Sequence, residues 1–484
     1  MNMKTRFTIL PRLALLCLGL CLASRASAQL NERVLHSFSG GADGQQPYAA
    51  LVQGSDGALY GTTFQGGSKN AGLIFRVKPD GSSDAPILSF NFNNENPGGD
   101  ANPSGLVQGS DGAFYGTTGF GGSSQQGSVF KVYPDGSGYS LLHSFGSASS
   151  GPYGPGAALV QGRDGLLYGT TVSGGSAGHG TLFKVSTNGT VFVLVHDFGI
   201  GTDGQIPQSP LLQGVDGAMY GTTAAGGASA QGGASGFGTV FKLNPDGTGE
   251  TVLHSFMPSG GDGQDPYTAG LVQGTDGALY GVTQQGGSTA DGGGSGLGAI
   301  FKLNTDGSGF SILHNFSGGA SDGAYPNSAL VQGTDGALYG ATQYGGSNNV
   351  GVVFRINTNG MGYVVLYQFG SNPGDGQYPG ASLVQASDGG LFGTTQFGGD
   401  NNFGTIFRLA PAPPIISSIS RLKNRTILLS VTAAPNFTYR IDSSDDQIHW
   451  APLSNVTNAS GTVQFLDIGA ATVLRRFYRA AWVP

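Results

Sequence analysis

The sequence predicts an all-β protein, namely a seven-bladed β-propeller closed by an N-terminal strand and followed by a small β-sandwich. This prediction rests on one sequence motif that recurs seven times, 52 to 60 residues apart. The motif consists of a short apolar strand, Asp-Gly, and an aromatic residue before Gly-Thr-Thr or a close variant. A period of that size marks a repeat architecture, in which each copy is one supersecondary unit. The recurring aromatic residues are Tyr60, Tyr115, Tyr168, Tyr220, Tyr280, Tyr339 and Phe392.

Turn residues set the strand boundaries within each copy. In the fifth copy, predicted strands 270–273 and 278–283 flank Asp276-Gly277, and strands 299–303 and 310–316 flank Asp306-Gly307. Asp-Gly between β-formers predicts a hairpin, because the turn needs a positive φ that Gly adopts without steric cost. Four antiparallel strands per copy match the size of a propeller blade.

The strand count favours a closed arrangement. First and third strands occur seven times, but only six fourth strands follow the copies, and the missing one stands ahead of the first copy at 34–38. We predict that 34–38 pairs into the sheet built by 383–409, since this pairing removes exposed sheet edges. A β-helix is the competing arrangement, but it does not require this offset.

Residues 1–28 are typical of a secretory signal peptide, with a basic start, a short apolar run and a cleavage site after Ala28. Both cysteines, Cys17 and Cys21, lie in this segment, and each follows a Leu where a lipoprotein signal has a small residue. We therefore expect a secreted or cell-surface protein with no membrane span. The predicted domains are the propeller at 29–410, a Pro-rich linker at 411–414 and the β-sandwich at 415–484.

Composition excludes some functions. Glycine makes up 88 of 484 residues, but it recurs in phase with the strands, which assigns it to turns rather than to disorder. The net charge is −7, and the segment between 29 and 411 holds 25 acidic but only 11 basic residues. Because phosphate binding needs clustered Lys and Arg, nucleic acid is not expected as a partner.

Two phrases carry a resemblance to a known family: Gly-Leu-Val-Gln-Gly-Ser-Asp-Gly-Ala-Phe-Tyr-Gly-Thr-Thr at 105–118 and Gly-Thr-Val-Phe-Lys-Leu-Asn-Pro-Asp-Gly-Thr at 238–248. They resemble the GloVer tandem repeat of secreted or surface-anchored bacterial proteins, and the resemblance covers about 34 to 409. It implies an extracytoplasmic protein and supplies no catalytic residues. The stretch from Tyr439 through Trp450 to Phe477 resembles a fibronectin-type or immunoglobulin-like module.

A basic residue follows the Phe of every third strand, and an aspartate stands in every first turn. A cationic ring for an anionic ligand is one interpretation, but these side chains diverge, and we favour structural pairing. The bases are Arg76, Lys131, Lys184, Lys242, Lys302, Arg355 and Arg408. The aspartates are Asp56, Asp111, Asp164, Asp216, Asp276, Asp335 and Asp388.

Two other recurrent residues favour structural roles. Five of the seven histidines hold one position of the fourth strand, and single histidines on successive blades cannot converge within about 2.0–2.1 Å of one ion. We therefore expect no metal site and no cofactor. The glutamine ending each first strand could face a ligand, but a hydrogen bond to its own Asp-Gly turn is favoured. The histidines are His36, His143, His196, His254 and His314.

The long loops predict the binding side. Loops between second and third strands and between blades are longer and more variable than the Asp-Gly turns, and tyrosines adjoin several inter-blade prolines. Binding residues concentrate on loops held by a rigid scaffold. Packing between blades is the open alternative for these tyrosines. The candidate ligand-binding residues are Tyr48, Tyr153, Tyr267, Tyr325 and Tyr378.

Two functions follow from this side. The first is a monomeric, non-enzymatic binding or scaffold protein that recognises extracellular polysaccharide or a surface protein. The second is a secreted polysaccharide hydrolase or lyase that uses carboxylates of the long-loop side, for which the sequence offers no catalytic residue. A glycosidase needs two carboxyls with different environments, and near-identical repeats with only three glutamates rarely supply them.

Overall fold

A computed structural model shows the protein to be built of β-strands, with one short 3₁₀ helix and no α-helix in the part it describes. No helix within that part is long and apolar enough to cross a membrane. The predicted signal peptide lies outside the described residues. These are 30–82, 84–91, 104–146, 151–200, 203–228, 236–257, 261–288, 296–386, 389–411, 414–433, 437–458, 461–472 and 475–483.

Each repeat forms an antiparallel sheet, and we number the repeats one to seven; in the first six, four strands follow one another in chain order. The first strands are Val52–Gln53, Val107–Gln108, Val160–Gln161, Leu212–Gln213, Val272–Gln273, Val331–Gln332 and Val384–Gln385. The second strands are Leu59–Thr63, Phe114–Thr118, Leu167–Thr171, Met219–Thr223, Leu279–Thr283, Leu338–Thr342 and Leu391–Gly398. The third strands are Leu73–Val77, Ser128–Val132, Thr181–Val185, Thr239–Leu243, Ala299–Leu303, Val352–Ile356 and Thr405–Ala410. The fourth strands of repeats one to six are Asp84–Ser89, Ser140–Ser144, Phe192–Asp197, Thr251–Ser255, Ser311–Asn315 and Val364–Gln368.

The N-terminal strand Asn31–Ser37 supplies the fourth strand of the seventh repeat, as predicted. It pairs antiparallel with Thr405–Ala410, and the register shifts between Val34 and His36. The six other pairs of third and fourth strands carry the same irregularity at the equivalent position, for example between Val240 and Phe241. The two ends of the repeat region therefore meet in one sheet.

The predicted fold class needs correction. The structure is all-β, but the described residues form many small, separate antiparallel sheets, and their strand pairing shows no closed barrel and no seven-bladed propeller. Turn chemistry and strand periodicity act within one repeat, so they predict each sheet. The arrangement of sheets depends on side-chain packing between repeats, which a repeat period does not encode.

Short pairs of strands lie in the loops of the later repeats. Each joins a segment ahead of the first strand to the residues that follow the second strand. The pairs are Gly204–Gln205 with Ala225–Gly226, Gly263–Gln264 with Gln285–Gly286, and Gly323–Ala324 with Tyr344–Gly345. In the seventh repeat, Gly376–Pro379 pairs with the extended second strand Leu391–Gly398.

Apolar clusters hold consecutive sheets together. One cluster combines Tyr60 and Phe90 of the first repeat with Phe114 and Phe130 of the second, all fully buried. Five further clusters join the following pairs of repeats in the same way. Another cluster joins Phe392 of the seventh repeat to residues of the first, with Phe38 between them.

The glutamines that end the first strands link neighbouring repeats. The Nε2 of Gln108 donates to the carbonyl oxygen of Gly112 in its own turn (3.0 Å), which confirms the favoured interpretation. Its Oε1 accepts a hydrogen bond from the backbone N–H of Ser55 in the preceding repeat (2.8 Å). Equivalent bonds to a preceding turn are made by Gln161, Gln213, Gln273, Gln332 and Gln385.

The C-terminal residues form two three-stranded antiparallel sheets. One orders Ile415–Arg421, Ile427–Thr432 and Thr462–Asp467, and the other orders Ala451–Asn458, Phe437–Ser444 and Phe477–Val483. A 3₁₀ helix covers Gly469–Thr472. Leu429, Val431 and Ile441 are buried in one apolar cluster shared by the two sheets. The resemblance to a fibronectin-type or immunoglobulin-like module is not shown by these sheets.

Candidate functional site

The Asp-Gly turns form one polar cluster per repeat, which we call the turn side. In the second repeat, Asp111 Oδ1 accepts from the N–H of Ala113 (3.2 Å), and its Oδ2 accepts from the Tyr115 hydroxyl (2.7 Å) and from Lys131 Nζ (2.8 Å). Burial opposes ionisation, but the bonds from Lys131 and Tyr115 prevail and lower the pKa of Asp111. Burial and the adjacent Asp111 raise the pKa of Tyr115 to about 12.

The structure brings five of the seven predicted base–aspartate pairs into contact. They are Arg76 with Asp56, Lys131 with Asp111, Lys242 with Asp216, Lys302 with Asp276, and Arg355 with Asp335, at 2.8–2.9 Å.

The other two bases have different contacts. In the third repeat, Lys184 donates to the backbone carbonyl of Pro245 (3.0 Å), although Tyr168 still bonds Asp164 (2.7 Å). In the seventh repeat, Arg408 lies over the ring of Phe392 at 5.7 Å, and Asp388 lies outside the described residues. In these five pairs on the turn side, the charge of the base therefore neutralises the charge of the aspartate.

A cavity of about 500 Å³ receives residues from all seven repeats, and we call this the cavity side. Most of its lining comes from the segment after the proline that separates successive repeats, together with the residues after the second strands of the first three repeats. The residues just after these prolines are Tyr48, Ser104, Gly156, Gln208, Tyr267, Asn327 and Gly380. Among the residues that follow the second strands, Phe64, Phe120 and Val172 form apolar parts of the cavity wall.

The described lining of the cavity is neutral. It combines aromatic, aliphatic and glycine surface with hydroxyl and amide groups, and holds no Asp, Glu, Lys, Arg or His. Its volume and mixed lining are those of a small-molecule site. The lining can therefore stack against a neutral molecule through its aromatic rings and hydrogen-bond it through its hydroxyl and amide groups.

Hydrogen bonds between repeats hold the cavity loops in place. Thr268 donates to the carbonyl oxygen of Asn327 in the next repeat (2.7 Å), and the N–H of Ala329 donates to Ser382 (2.9 Å). Asn327 is only 5% exposed, and its side-chain oxygen has no hydrogen-bond partner among the described residues. These bonds hold the lining in place, and the Asn327 side-chain oxygen remains able to accept a hydrogen bond.

Two of the five predicted tyrosines, Tyr48 and Tyr267, line this cavity. Burial raises the pKa of the Tyr48 phenol, and the nearby Tyr267 phenol raises it further, which places the two phenols close together. Tyr48 is still 43% exposed, so its ring lies against the protein while one side remains open to a ligand. Aromatic rings in this arrangement are suited to stacking.

The other three tyrosines do not line the cavity. Tyr325 and Tyr378 precede their prolines and adopt positive φ values of 54° and 56°. Their N–H groups donate to the carbonyl oxygens of Leu297 and Val350 in the preceding repeat (both 2.8 Å). Their rings both pack edge-on against Tyr344, at 5.7 and 5.3 Å. Tyr153, 43% exposed, pairs through its backbone with Ser173.

Aromatic packing between repeats, which the sequence left open as an alternative, thus accounts for Tyr325 and Tyr378. Sequence reasoning missed Phe64, Phe120 and Asn327. The signal that locates most of the lining is positional: the residues that follow each inter-repeat proline enter the cavity in every repeat.

The histidines of the fourth strands bond the aspartates of the inter-repeat loops. His36, His196, His254 and His314 each lie 3.0–3.2 Å from the carboxylate of such an aspartate. In the sixth repeat Tyr367 takes the histidine position, and its hydroxyl oxygen lies 2.9 Å from Asp375 Oδ2 and 3.1 Å from Glu32 Oε2. Burial, followed by the neighbouring Asp375, raises the pKa of Glu32 to about 8.

Seven similar sheets and one cavity lined by every repeat define an all-β tandem-repeat protein. The model of the Gloeobacter/Verrucomicrobia repeat matches residues 25–232, 82–288 and 227–427, and the chain belongs to that family.

Solved structures and curated proteins add little to this assignment. A protein of unknown function from Dyadobacter fermentans DSM 18053 is similar over 79% of this chain and 97% of its own, with 11% identity and a TM-score of 0.42. A nidogen/laminin complex is similar over 56% of this chain and 83% of its own, with 15% identity and a TM-score of 0.34. No curated protein matches the chain.

Proposed function

We propose that the protein is a non-enzymatic, extracytoplasmic binding protein that holds a neutral saccharide in the cavity of the seven repeats. The observation that carries the proposal is the lining itself: every repeat contributes to it, and its described residues combine tyrosine and phenylalanine rings with uncharged hydroxyl and amide groups. Sugars present both an apolar face for stacking and a rim of hydroxyl groups. A neutral, partly aromatic pocket of about 500 Å³ suits one or two sugar units at the end of a polysaccharide.

Binding is favoured over hydrolysis by the same lining. A glycosidase needs two carboxyls roughly 5–9.5 Å apart on either side of the scissile bond. The described residues of the cavity wall include no carboxylate. A surface protein as ligand is less suited to a recessed cavity, because protein partners bury broad surfaces of about 800 Å² each.

The C-terminal sheets have a secondary part in this proposal. Their sequence resembles a fibronectin-type or immunoglobulin-like module, and such a module would act as a spacer or a second adhesive surface. Affinity for one sugar end would be weak, and a polymer that engages several protein molecules would raise it by multivalency.

The test is retention on a panel of neutral polysaccharides, with soluble product measured in the same samples. Tyr48→Ala and Tyr267→Ala should each weaken retention about two- to twelve-fold, because one stacked ring contributes about 0.5–1.5 kcal/mol beyond area burial. Tyr267→Phe, which keeps the ring, should retain most of the affinity. All three variants should keep the wild-type melting curve.

Tyr133→Ala is the matched control, since Tyr133 is 39% exposed and lies beside Lys131, away from the cavity lining. It should bind like the wild type. The proposal fails if the cavity variants bind normally while folded, or if the wild type releases product from the polysaccharide.

A further inference from the structure

One position at the start of the fourth strands is aromatic in some repeats and acidic in others. It lies four residues before the histidine, and it is aromatic in most repeats: Tyr139, Phe192, Phe310 and Tyr363. Three of these rings stack on the histidine of the preceding repeat: Phe192 lies 3.6 Å from His143, Phe310 lies 3.6 Å from His254 and Tyr363 lies 3.8 Å from His314, centroid to centroid. In repeat four Glu250 holds this position instead, immediately before the fourth strand Thr251–Ser255.

Glu250 thereby joins a histidine and an aspartate of the third repeat. His196 Nε2 lies 3.0 Å from Asp203 Oδ2, and the ligand atoms of all three side chains lie within 4.8 Å of one another. Asp203 is 8% exposed. The Oε1 atom of Glu250 is buried and has no hydrogen-bond partner within the described part of the chain.

This cluster is electrostatically incomplete. Two carboxylates share a poorly solvated space, and the described group that can balance them is the imidazole of His196. A buried carboxylate oxygen without a partner is destabilised, because it has lost its hydrogen bonds to water and gained none in the protein.

We propose that His196, Asp203 and Glu250 form a binding site for a divalent transition-metal ion of the Zn²⁺ class, which joins the third and fourth repeats. One imidazole nitrogen and two carboxylate oxygens are ligands that this class accepts, with water completing the coordination. Oxygen and nitrogen ligands lie about 2.0–2.2 Å from Zn²⁺, so the cluster contracts slightly around the ion. The His196 side chain is 19% exposed, which gives the ion a route from solvent.

The recurring histidines alone predict no metal site, because they lie on different repeats. The site instead combines one histidine with carboxylates from its own loop and from the next fourth strand. The second glutamate at this position, Glu32, does not form an equivalent site, since its neighbour is Tyr367 rather than a histidine.

The test is titration of the purified, chelator-treated protein with ZnCl₂ and MnCl₂ by calorimetry, with metal content measured after dialysis. The wild type should bind one Zn²⁺ per chain, and its melting temperature should rise with the ion. Glu250→Phe restores the ring that other repeats carry and should therefore fold, but it should bind Zn²⁺ at least about 100-fold more weakly, beyond the roughly 10–100-fold typical of losing an outer-shell partner. Glu250→Gln should weaken binding with the side-chain shape kept.

A variant that gains a metal site tests the proposal without relying on loss of Zn²⁺ binding. Phe310→Glu places a third ligand beside His254 and Asp262, whose contact is 3.0 Å, so the folded variant should bind a second ion. The proposal is overturned if the wild type binds no Zn²⁺, if both Glu250 variants keep wild-type affinity, or if folded Phe310→Glu protein still binds only one ion. In those cases a protonated His196 bridges the two carboxylates.

Discussion

On the turn side of the repeats the same Gln, Asp and aromatic residue recur, whereas on the cavity side the residue after the inter-repeat proline changes from Tyr48 to Ser104, Gly156 and Gln208. The recurring side chains bond one another, as Asp111 does with Tyr115. The varying ones leave polar capacity unused, as Asn327 does. Repetition therefore marks the groups that hold the sheets together, and variation marks the lining of the cavity.

The largest effect is expected from removing the strand that joins the two ends of the repeat region. Deletion of 29–39 should lower the melting temperature sharply and promote oligomers, since it uncovers the edge of Thr405–Ala410. Phe38→Ala is a graded version; Phe38 is 1% exposed, and the loss should be about 3–5 kcal/mol. Thermal melting and size-exclusion chromatography measure both. A monomeric deletion variant of unchanged stability would contradict the role of this strand.

The next effect concerns pH at the junction of the sixth and seventh repeats. The pKa of Glu32 is raised by burial from its ordinary 4.5 to about 8, with Asp375 and Tyr367 as its neighbours. Between these pH values the unfolded chain releases a proton that the folded protein keeps, so stability should fall as pH rises from about 4.5 to about 8 and then level off. Glu32→Gln should flatten this part of the curve, measured by urea unfolding at several pH values. An unchanged slope would show that Glu32 is ionised in the folded protein.

A smaller effect is expected from breaking one cluster on the turn side. Asp216→Ala removes acceptors for Ala218 N–H (3.1 Å), the Tyr220 hydroxyl (2.7 Å) and Lys242 (2.9 Å). The free energy of unfolding should fall by about 1–3 kcal/mol, and retention on a saccharide should not change. Asp246→Ala, in an exposed turn of the same repeat, is the control and should change little. If Asp216→Ala protein of native stability were no longer retained on the saccharide, the turn side would take part in binding as well as the cavity side.

The smallest effect should follow from removing the base alone. In the pair Lys242–Asp216 the two side chains are 29% and 38% exposed, so Lys242→Ala should cost between zero and about 1 kcal/mol. Lys184→Ala, which removes a bond to a backbone carbonyl rather than to an aspartate, gives the comparison. Chemical denaturation measures both variants. A Lys242→Ala protein of native stability that has lost an anionic ligand would instead support the cationic-ring interpretation.

The sequence predicts local structure well and the site poorly, for a physical reason. Asp-Gly turns and alternating strands act within one repeat, so the hairpins and the pairing of 34–38 with the last repeat could be read directly. Tyrosines on either side of a proline look equivalent in sequence, but the tyrosine before the proline adopts a positive φ, 54° at Tyr325, which interrupts the alternation of an extended segment. Tyr267 follows its proline and enters the cavity, whereas Tyr325 precedes its proline and packs against Tyr344. The arrangement of the sheets, for which the sequence predicted a propeller, depends on packing that no single repeat encodes.

The sheet shared by the two ends of the repeat region also sets an order of events during synthesis. The hydrogen bond between Ser37 and Asp400 spans 363 residues, so Asn31–Ser37 is synthesised long before the strand with which it pairs. Contacts within one repeat close quickly, while a contact of this sequence separation is slow and carries a larger loop-closure cost. Until Thr405–Ala410 has been made, Asn31–Ser37 remains an unpaired strand, open to aggregation or proteolysis. A chain that ends before Thr405–Ala410 therefore keeps Asn31–Ser37 unpaired and exposed to proteases.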